Sequence, residues 1–596
     1  MGIQGIESYE VTVEVDVSRG LPSFNIVGLG DRIVSEAKER VRAAIRNSGL
    51  DFPLERITVN LLPSDVPKEG CGFDLAIATG ILASTGQIPR DELSDMLIVG
   101  GLGLDGAVWE VEGALVLASG AKDGLLVLPP GNAAEALVVP HVTAITPYTL
   151  SALVGHLRKQ KRLPEYKGVI PRSRDGVRPF DTPHCSPECD DDREKSKGAD
   201  ARIQARPADF SDTGSTEDAI LDMAEVIGHE MAKRALEIAA AGFHSVFMSG
   251  PPGAGKTMLS RRLPSIMPDL TYEEAVVVTK TWSVAGMHKG GLIFRAPFRS
   301  PHHTITVSGM VGGGRNPKPG EVSLAHGGIL FCDELPLFKR DVLETLRQPM
   351  EDGEVSVSRS GAKVVYPSRF MLVAAQNPCP CGGLRLDGSG ECKCTPWEIR
   401  RYKMRVPTPI LDRIDIFIEL DETDWRTQDW GTRNGQNGSL GDSDRGCGDE
   451  NVCGETRKIR KSPRPDAEPS ASIKVRTEMA RNIQRERLGG ERSKKEGASE
   501  STPGTLGRIL ANGSMTPGEV RRFVSLTPEA RRCLEMAAKG HKLSMRGISR
   551  TMKVARTIAD LEGDMLVRSH HMEEALSYRE VSDKDFPVSW YGKAAR

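Results

Sequence analysis

In the run HSVFMSGPPGAGKTMLSRRL at 244–263, a short apolar segment leads into a glycine-rich turn and then a helix-like stretch. The turn is Gly250, Pro251, Pro252, Gly253, Ala254, Gly255, Lys256 and Thr257, which fits the pattern GxxxxGKT. Glycines let successive backbone N–H groups close on phosphate oxygens at a helix N-terminus. A lysine at this place reaches the β- and γ-phosphates, and a hydroxyl holds Mg²⁺. A second apolar run, GGILFCDEL, ends in Asp333 and Glu334. An aspartate there suits a metal-bound water shell, and the following glutamate suits activation of an attacking water. A third, RFMLVAAQN, ends in Asn377, a neutral side chain able to orient that water. An acidic pair after a strand is by itself often a helix cap, but beside the phosphate loop it completes a nucleotide site. ATP and Mg²⁺ are the expected cofactors.

A further cluster carries different chemistry. NPCPCGGLRLDGSGECKCTP places Cys379, Cys381, Cys392 and Cys394 as two Cys-x-Cys pairs ten residues apart. Four thiols so close in one loop favour a tetrahedral structural Zn²⁺ site over unliganded thiols, although one-residue spacing is tighter than usual. His184, Cys185, Cys189, Cys447 and Cys453 lie in polar segments and receive no role.

Between the phosphate loop and Asp333, residues 275–320 contain no aspartate or glutamate, yet carry Lys280, Lys289, Arg295, Arg299, Arg315 and Lys318. The whole chain has 79 Lys+Arg against 81 Asp+Glu, so a polyanion would have to be held by such local surfaces. Further on, GEVSVSRSGAKVVYP alternates as a hairpin turning at Ser360-Gly361, with Arg359 and Lys363 beside its tip. A solvated tip is often charged for no other reason. With the acid-free strip beside it, the expectation is DNA contact through Arg299, Arg315, Lys318, Arg359 and Lys363.

The elements that must position these groups are legible from periodicity. Three apolar strands alternating with helices describe a parallel sheet whose ligand lies at the strands' C-terminal edge. Upstream, VTVEVDV reads as a half-buried strand. Val34, Ala37, Val41 and Ile45 fall at helical spacing, and RITVNLL reads as another strand. The 596 residues, 39 % of them hydrophobic, divide by composition into a mixed α/β domain (1–165), a polar linker (166–215), a P-loop core (216–423) with the cysteine-rich insert 379–394, a disordered insertion (424–470) and a helical C-terminal part (471–596). No apolar run approaches membrane-spanning length and eleven cysteines are too few for a disulfide scaffold, so the expected location is cytoplasmic.

The phosphate loop, AHGGILFCDELPLFKRDVLETLRQPMEDGEV, FMLVAAQNPCPCGG, PILDRIDI and KVARTIADLEG, in that order, resemble the Mg-chelatase-like AAA+ ATPases of the ComM (YifB) type over nearly the whole chain. PSDVPKEGCGFDLAIATGIL and GGLGLDGAVWEVEGALVLASG likewise resemble the Lon-protease-type fold. The resemblance implies an α/β fold with a Lon-protease-like N-terminal domain, a central AAA+ domain and a C-terminal helical lid. It also implies a homo-hexamer with sites between subunits, a cytoplasmic setting, and recombination proteins as possible partners. By the same resemblance Glu334 and Asn377 are catalytic, Arg413 of LDRID is the arginine finger supplied to a neighbour, and Arg546 is the sensor 2 arginine, with Arg550 as its rival. The hairpin is the one that points into the central pore of related hexamers. Where the family usually reads Ser-Gly-Pro-Leu before LDRID, this chain has Pro407, Thr408, Pro409 and Ile410. A serine-lysine protease would need a nucleophile after PKEG and a lysine near VEGAL, where this chain has Cys71, Gly72 and Leu115. The implied function is an ATP-driven motor that migrates branched DNA, as in recombination and natural transformation. The alternative is a chaperone-like or metal-chelatase motor subunit acting on a protein.

Overall fold

A computed structural model describes residues 1–169, 221–420, 468–489 and 509–585, apart from 29, 65, 122–123, 289, 315–316, 360–361, 385–390 and 541–542. Most of the expected linker, nearly all of the expected insertion, the polar stretch after 489, Lys289, Arg315, the Ser360-Gly361 turn, His184, Cys185, Cys189, Cys447 and Cys453 lie outside the described residues.

After a short antiparallel hairpin of Gly2–Gln4 with Glu7–Tyr9, the N-terminal part runs through strands β1 (Thr12–Ser18) and β2 (Ser23–Val27), helix α1 (Arg32–Asn47) and strand β3 (Arg56–Leu62). β3 is central, antiparallel to β1 and parallel to β2. Asp31 caps α1 by accepting from the Val34 N–H, and Val34, Ala37, Val41 and Ile45 are all buried, as their spacing predicts. Helix α2 (Asp74–Ser84) closes this core. A second sheet uses β4 (Met96–Ile98), β5 (Leu125–Val127), β6 (Thr143–Ile145) and β7 (Tyr166–Lys167), with α3 (Ala114–Gly120) preceding β5. β7 pairs with β6, so the domain continues past residue 165, where the composition change sets its limit.

The central domain runs through α4 (Glu230–Gly242), β8 (Val246–Ser249), α5 (Lys256–Arg262), α6 (Tyr272–Val284), β9 (Phe298–Arg299), β10 (Ile329–Cys332), α7 (Arg340–Thr345), α8 (Arg347–Asp352), the hairpin β11 (Glu354–Arg359) and β12 (Ala362–Pro367), β13 (Met371–Gln376), α9 (Pro396–Lys403) and β14 (Ile416–Glu419). Its sheet has the order β9-β10-β13-β8-β14 and is parallel throughout. Val246 and Met248 of β8 enter one core and Phe247 the other, so both faces are covered, which is why these strands read as continuous apolar runs. The register pairs Ser249 with Gln376 and Cys332 with Ala374. Gly250, Asp333 and Asn377 therefore leave the sheet at the same edge.

The C-terminal helices are α10 (Ser470–Gly489), α11 (Pro517–Phe523), α12 (Pro528–Gly540), α13 (Met545–Leu561) and α14 (Ser569–Asp585). They share a core with α4 and one face of the sheet. A buried polar chain ties this lid down. Asp415 accepts from Arg550 at 2.7 Å and faces His244 at 3.1 Å, and His244 meets Thr557 at 2.8 Å. Burial alone would push the Asp415 carboxyl up, but Arg550, His244 and Lys553 hold it well below the usual carboxylate range. Among the described residues no helix is long and apolar enough to cross a membrane.

Candidate nucleotide site

The loop after β8 has the backbone that its glycines predict. Gly253 and Gly255 both sit at φ +83°, and a Cβ on Gly250 would lie 2.4 Å from the Leu420 carbonyl oxygen. Pro251, Pro252 and Ala254 fill the turn, and α5 starts at Lys256. The Lys256 ammonium donates to the Gly250 carbonyl at 2.5 Å, the Pro251 carbonyl at 2.8 Å and Asn377 Oδ1 at 3.0 Å. All three of its protons are thus directed, and burial lowers its pKa against the opposing pull of Asp333 and Glu334. This lysine folds back on its own loop.

The Thr257 hydroxyl donates to Asp333 Oδ2 at 2.8 Å. A hard cation needs such a pair of oxygens, with water and phosphates filling the rest of its shell, so the residues fit Mg²⁺. Glu334 is exposed and holds a left-handed φ of +51°, rare for a side chain larger than glycine. That conformation turns its carboxylate out of the strand direction beside Asp333, whose Oδ1 accepts the Glu334 N–H at 2.9 Å.

The arginines are arranged differently from their sequence expectation. Arg413 is only 5 % exposed, donates to the Pro409 carbonyl at 2.5 Å and pairs with Glu351 of α8. In the single chain its guanidinium is therefore folded inward and not displayed to a neighbour. Arg546 reaches the same Glu351 at 3.5 Å and remains exposed. Arg550, its rival, is committed to Asp415 and to the Arg413 carbonyl. Sequence reasoning missed Glu351 as the residue joining both arginines. Its only signal was a carboxylate in the phrase RQPMEDGEV, and nothing local marks its partners.

Cys379, Cys381, Cys392 and Cys394 present their sulfurs within 4.8 Å of one another. The separations are 3.4 Å for Cys379–Cys381, 3.7 Å for Cys381–Cys392 and 3.6 Å for Cys379–Cys392. Four sulfurs at tetrahedral Zn–S distance would stand about 3.8 Å apart, so the geometry fits Zn²⁺. Backbone amides of Gly383 and Lys393 pull the Cys381 thiol down to about 6, while its hydrogen bond to Cys394 pushes that thiol up to about 12, so without a metal the thiolate is favoured at Cys381 alone of the two.

Sequence comparison then decides the family. The chain is 36 % identical to the competence protein ComM of Haemophilus influenzae over 96 % of its length and 95 % of that protein. It is 35 % identical to YifB of Escherichia coli over 97 % of its length and 95 % of that protein. The chain belongs to the Mg-chelatase-like ComM/YifB family. Three family profiles match in order: subunit ChlI of Mg-chelatase at 13–132, magnesium chelatase subunit ChlI at 222–428, and the ChlI C-terminal region at 467–579. The magnesium-chelatase 67 kDa subunit of Chlorobaculum parvum is 28 % identical over 26 % of this chain and 23 % of its own length. Family membership implies ATP and Mg²⁺ as cofactors.

Of the residues expected to contact DNA, the described side chains of Arg299 and Lys318 are both engaged by carboxylates. Arg299 makes a two-pronged ion pair with Glu321, at 2.6 and 2.8 Å, and lies over the Trp282 ring. It braces β9 from a half-buried position. Lys318 pairs with Glu112 of the N-terminal domain at 3.0 Å, an exposed contact of small energy. Lys280 is largely withdrawn from water, and burial lowers its pKa. The charge of the acid-free strip is thus partly answered by carboxylates outside it. Arg359 and Lys363 occupy the last rungs of β11 and the first of β12, on a hairpin packed through Val364 and Tyr366 against Ile6 and Val277. In the N-terminal domain, burial and then Asp74 push the Cys71 thiol up, the reverse of what a nucleophile needs, and buried Leu115 stands where a protease would have its lysine.

Proposed function

We propose that this chain is an ATP-hydrolysing motor that works as a homo-hexamer on DNA and moves branched DNA during recombination and the uptake of transforming DNA. The observation that carries the hydrolytic part is the convergence of Lys256, Thr257, Asp333 and Asn377 at one sheet edge. In the cycle, Lys256 leaves its carbonyl partners for the phosphates, Asn377 orients the water, and Glu334 takes its proton. Thr257 and Asp333 would hold Mg²⁺, which would supply neutralisation of phosphate charge. Arg413 acts from a neighbouring subunit, which requires it to exchange Glu351 for the neighbour's nucleotide, and Arg546 serves as the sensor 2 arginine of the lid. Cys379, Cys381, Cys392 and Cys394 would hold Zn²⁺, which would cross-link the loop that follows Asn377.

The DNA part is supported by the name of the Haemophilus relative, which links the family to competence, and by the hairpin carrying Arg359 and Lys363. The test is a labelled synthetic four-way junction incubated with the zinc-replete chain. ATP-dependent conversion into forked duplexes, lost in Lys256→Ala, is expected. A second reading, a motor subunit acting on a protein as in metal chelatases, is favoured by the partial match to a magnesium-chelatase subunit. Persistent ATP turnover with no junction conversion would select it.

A further inference from the structure

Outside the nucleotide site, an open groove of about 680 Å³ lies between the segment that follows Glu334 and helix α9. Leu337, Arg340, Trp397, Arg400, Arg401 and Arg405 line it, and no carboxylate does. Trp397 is 65 % exposed, an unusual state for the largest apolar side chain. The Arg401 guanidinium lies 5.2 Å from the centre of its ring. Arg340 pairs with Glu344 at 3.0 Å, but no carboxylate partners Arg400, Arg401 or Arg405 among the described residues. The one acid on α9, Glu398, is turned to the helix start. It accepts from Thr395 N–H and hydroxyl at 2.8 and 2.9 Å in a capping box. The helix therefore offers the groove positive charge and one aromatic face, unneutralised.

We propose that this groove binds single-stranded nucleic acid, with Trp397 stacking a base and Arg400, Arg401 and Arg405 taking the adjoining phosphates. An indole supplies sequence-tolerant stacking, and arginines supply planar forks for phosphate oxygens. This inference rests on the DNA reading above and moves the contact from the acid-free strip to α9. The groove is also wired to the nucleotide site. Tyr402, on the buried face of α9, lies beside the Asn377 backbone, and the cysteine cluster lies between Asn377 and the helix start in the chain. A strand seated on one face of α9 thus bears on the residue that contacts Lys256.

The test uses the full-length, zinc-replete chain with a non-hydrolysable ATP analogue and a fluorescein-labelled thirty-nucleotide oligothymidylate. Anisotropy is read at two salt concentrations, and sedimentation and melting are recorded for each variant. Trp397→Ala is expected to raise Kd about tenfold, and Trp397→Phe to restore most of the affinity. The double change Arg400→Glu with Arg401→Glu is expected to raise Kd at least a hundredfold and flatten the salt dependence. All three should keep the wild-type melting transition, since these side chains are exposed. Wild-type affinity in the groove variants, with loss in Arg359→Ala/Lys363→Ala, would overturn the groove and leave the DNA reading intact. Failure of the wild-type chain to bind any strand at either salt would overturn both. Equal displacement by poly-L-glutamate of matched charge, or dissociation of the oligomer by Trp397→Ala, would overturn it in favour of an acidic peptide site or a subunit contact.

Discussion

Lys256 sets the chemistry of the site at the smallest scale. Its ammonium is saturated by two loop carbonyls and Asn377, so nucleotide binding is an exchange of partners and not the filling of an empty charge site. Glu334 takes no part in holding the loop. Glu334→Gln should therefore bind ATP within a few-fold of wild type while turnover falls by about 10² or more, measured as a fluorescent-nucleotide Kd beside steady-state phosphate release. Equal loss of binding and turnover would mean that the carboxylate is structural. At this scale much of the site was legible. Lys256, Thr257, Asp333 and Asn377 sit in phrases whose chemistry depends on residue type and local spacing, and the register brings them to one edge. The inward fold of Arg413 was not legible, because its partner Glu351 lies on a different helix and LDRID looks the same whether displayed or buried.

Elements fix what residues can do. The lid is joined to the sheet through Asp415, which is buried between Arg550 and His244. Asp415→Asn leaves the Arg550 guanidinium facing a neutral amide and should cost about 3–5 kcal/mol, read as a lowered denaturation midpoint. Because the folded carboxyl lies below its unfolded value, its contribution is complete at neutral pH. It is lost only as pH falls below the usual carboxylate range toward the folded pKa. The gap between wild type and variant should accordingly be constant from neutral to mildly acidic pH and narrow only in strong acid. Helix α9 is the second such element. Removing Zn²⁺ with a chelator should loosen residues 379–394 and lower ATP turnover together with bound zinc, measured by metal analysis and phosphate release. Unchanged turnover at zero zinc would separate the cysteines from Asn377. Strands and amphipathic helices could be read from periodicity because each buries a face locally. The lid's docking could not, since Asp415, His244 and Thr557 come from three distant segments, and α9's open groove depends on where the glutamate of its capping box points.

For the whole molecule the account requires more than one copy. The proposed hexamer places Arg413, paired with Glu351 in the single chain, at a neighbour's nucleotide, so activity should depend on protein concentration. Arg413→Ala and Lys256→Ala should each be inactive alone, yet a mixture should regain part of the turnover, because each subunit supplies what the other lacks. Absence of rescue would argue against shared sites. The most direct test of a DNA-driven motor is steady-state ATP hydrolysis by the zinc-replete chain with no DNA, single strands, linear duplex and a four-way junction, at low and high salt. The account predicts salt-sensitive stimulation, greatest with the junction. Turnover indifferent to every DNA would contradict it.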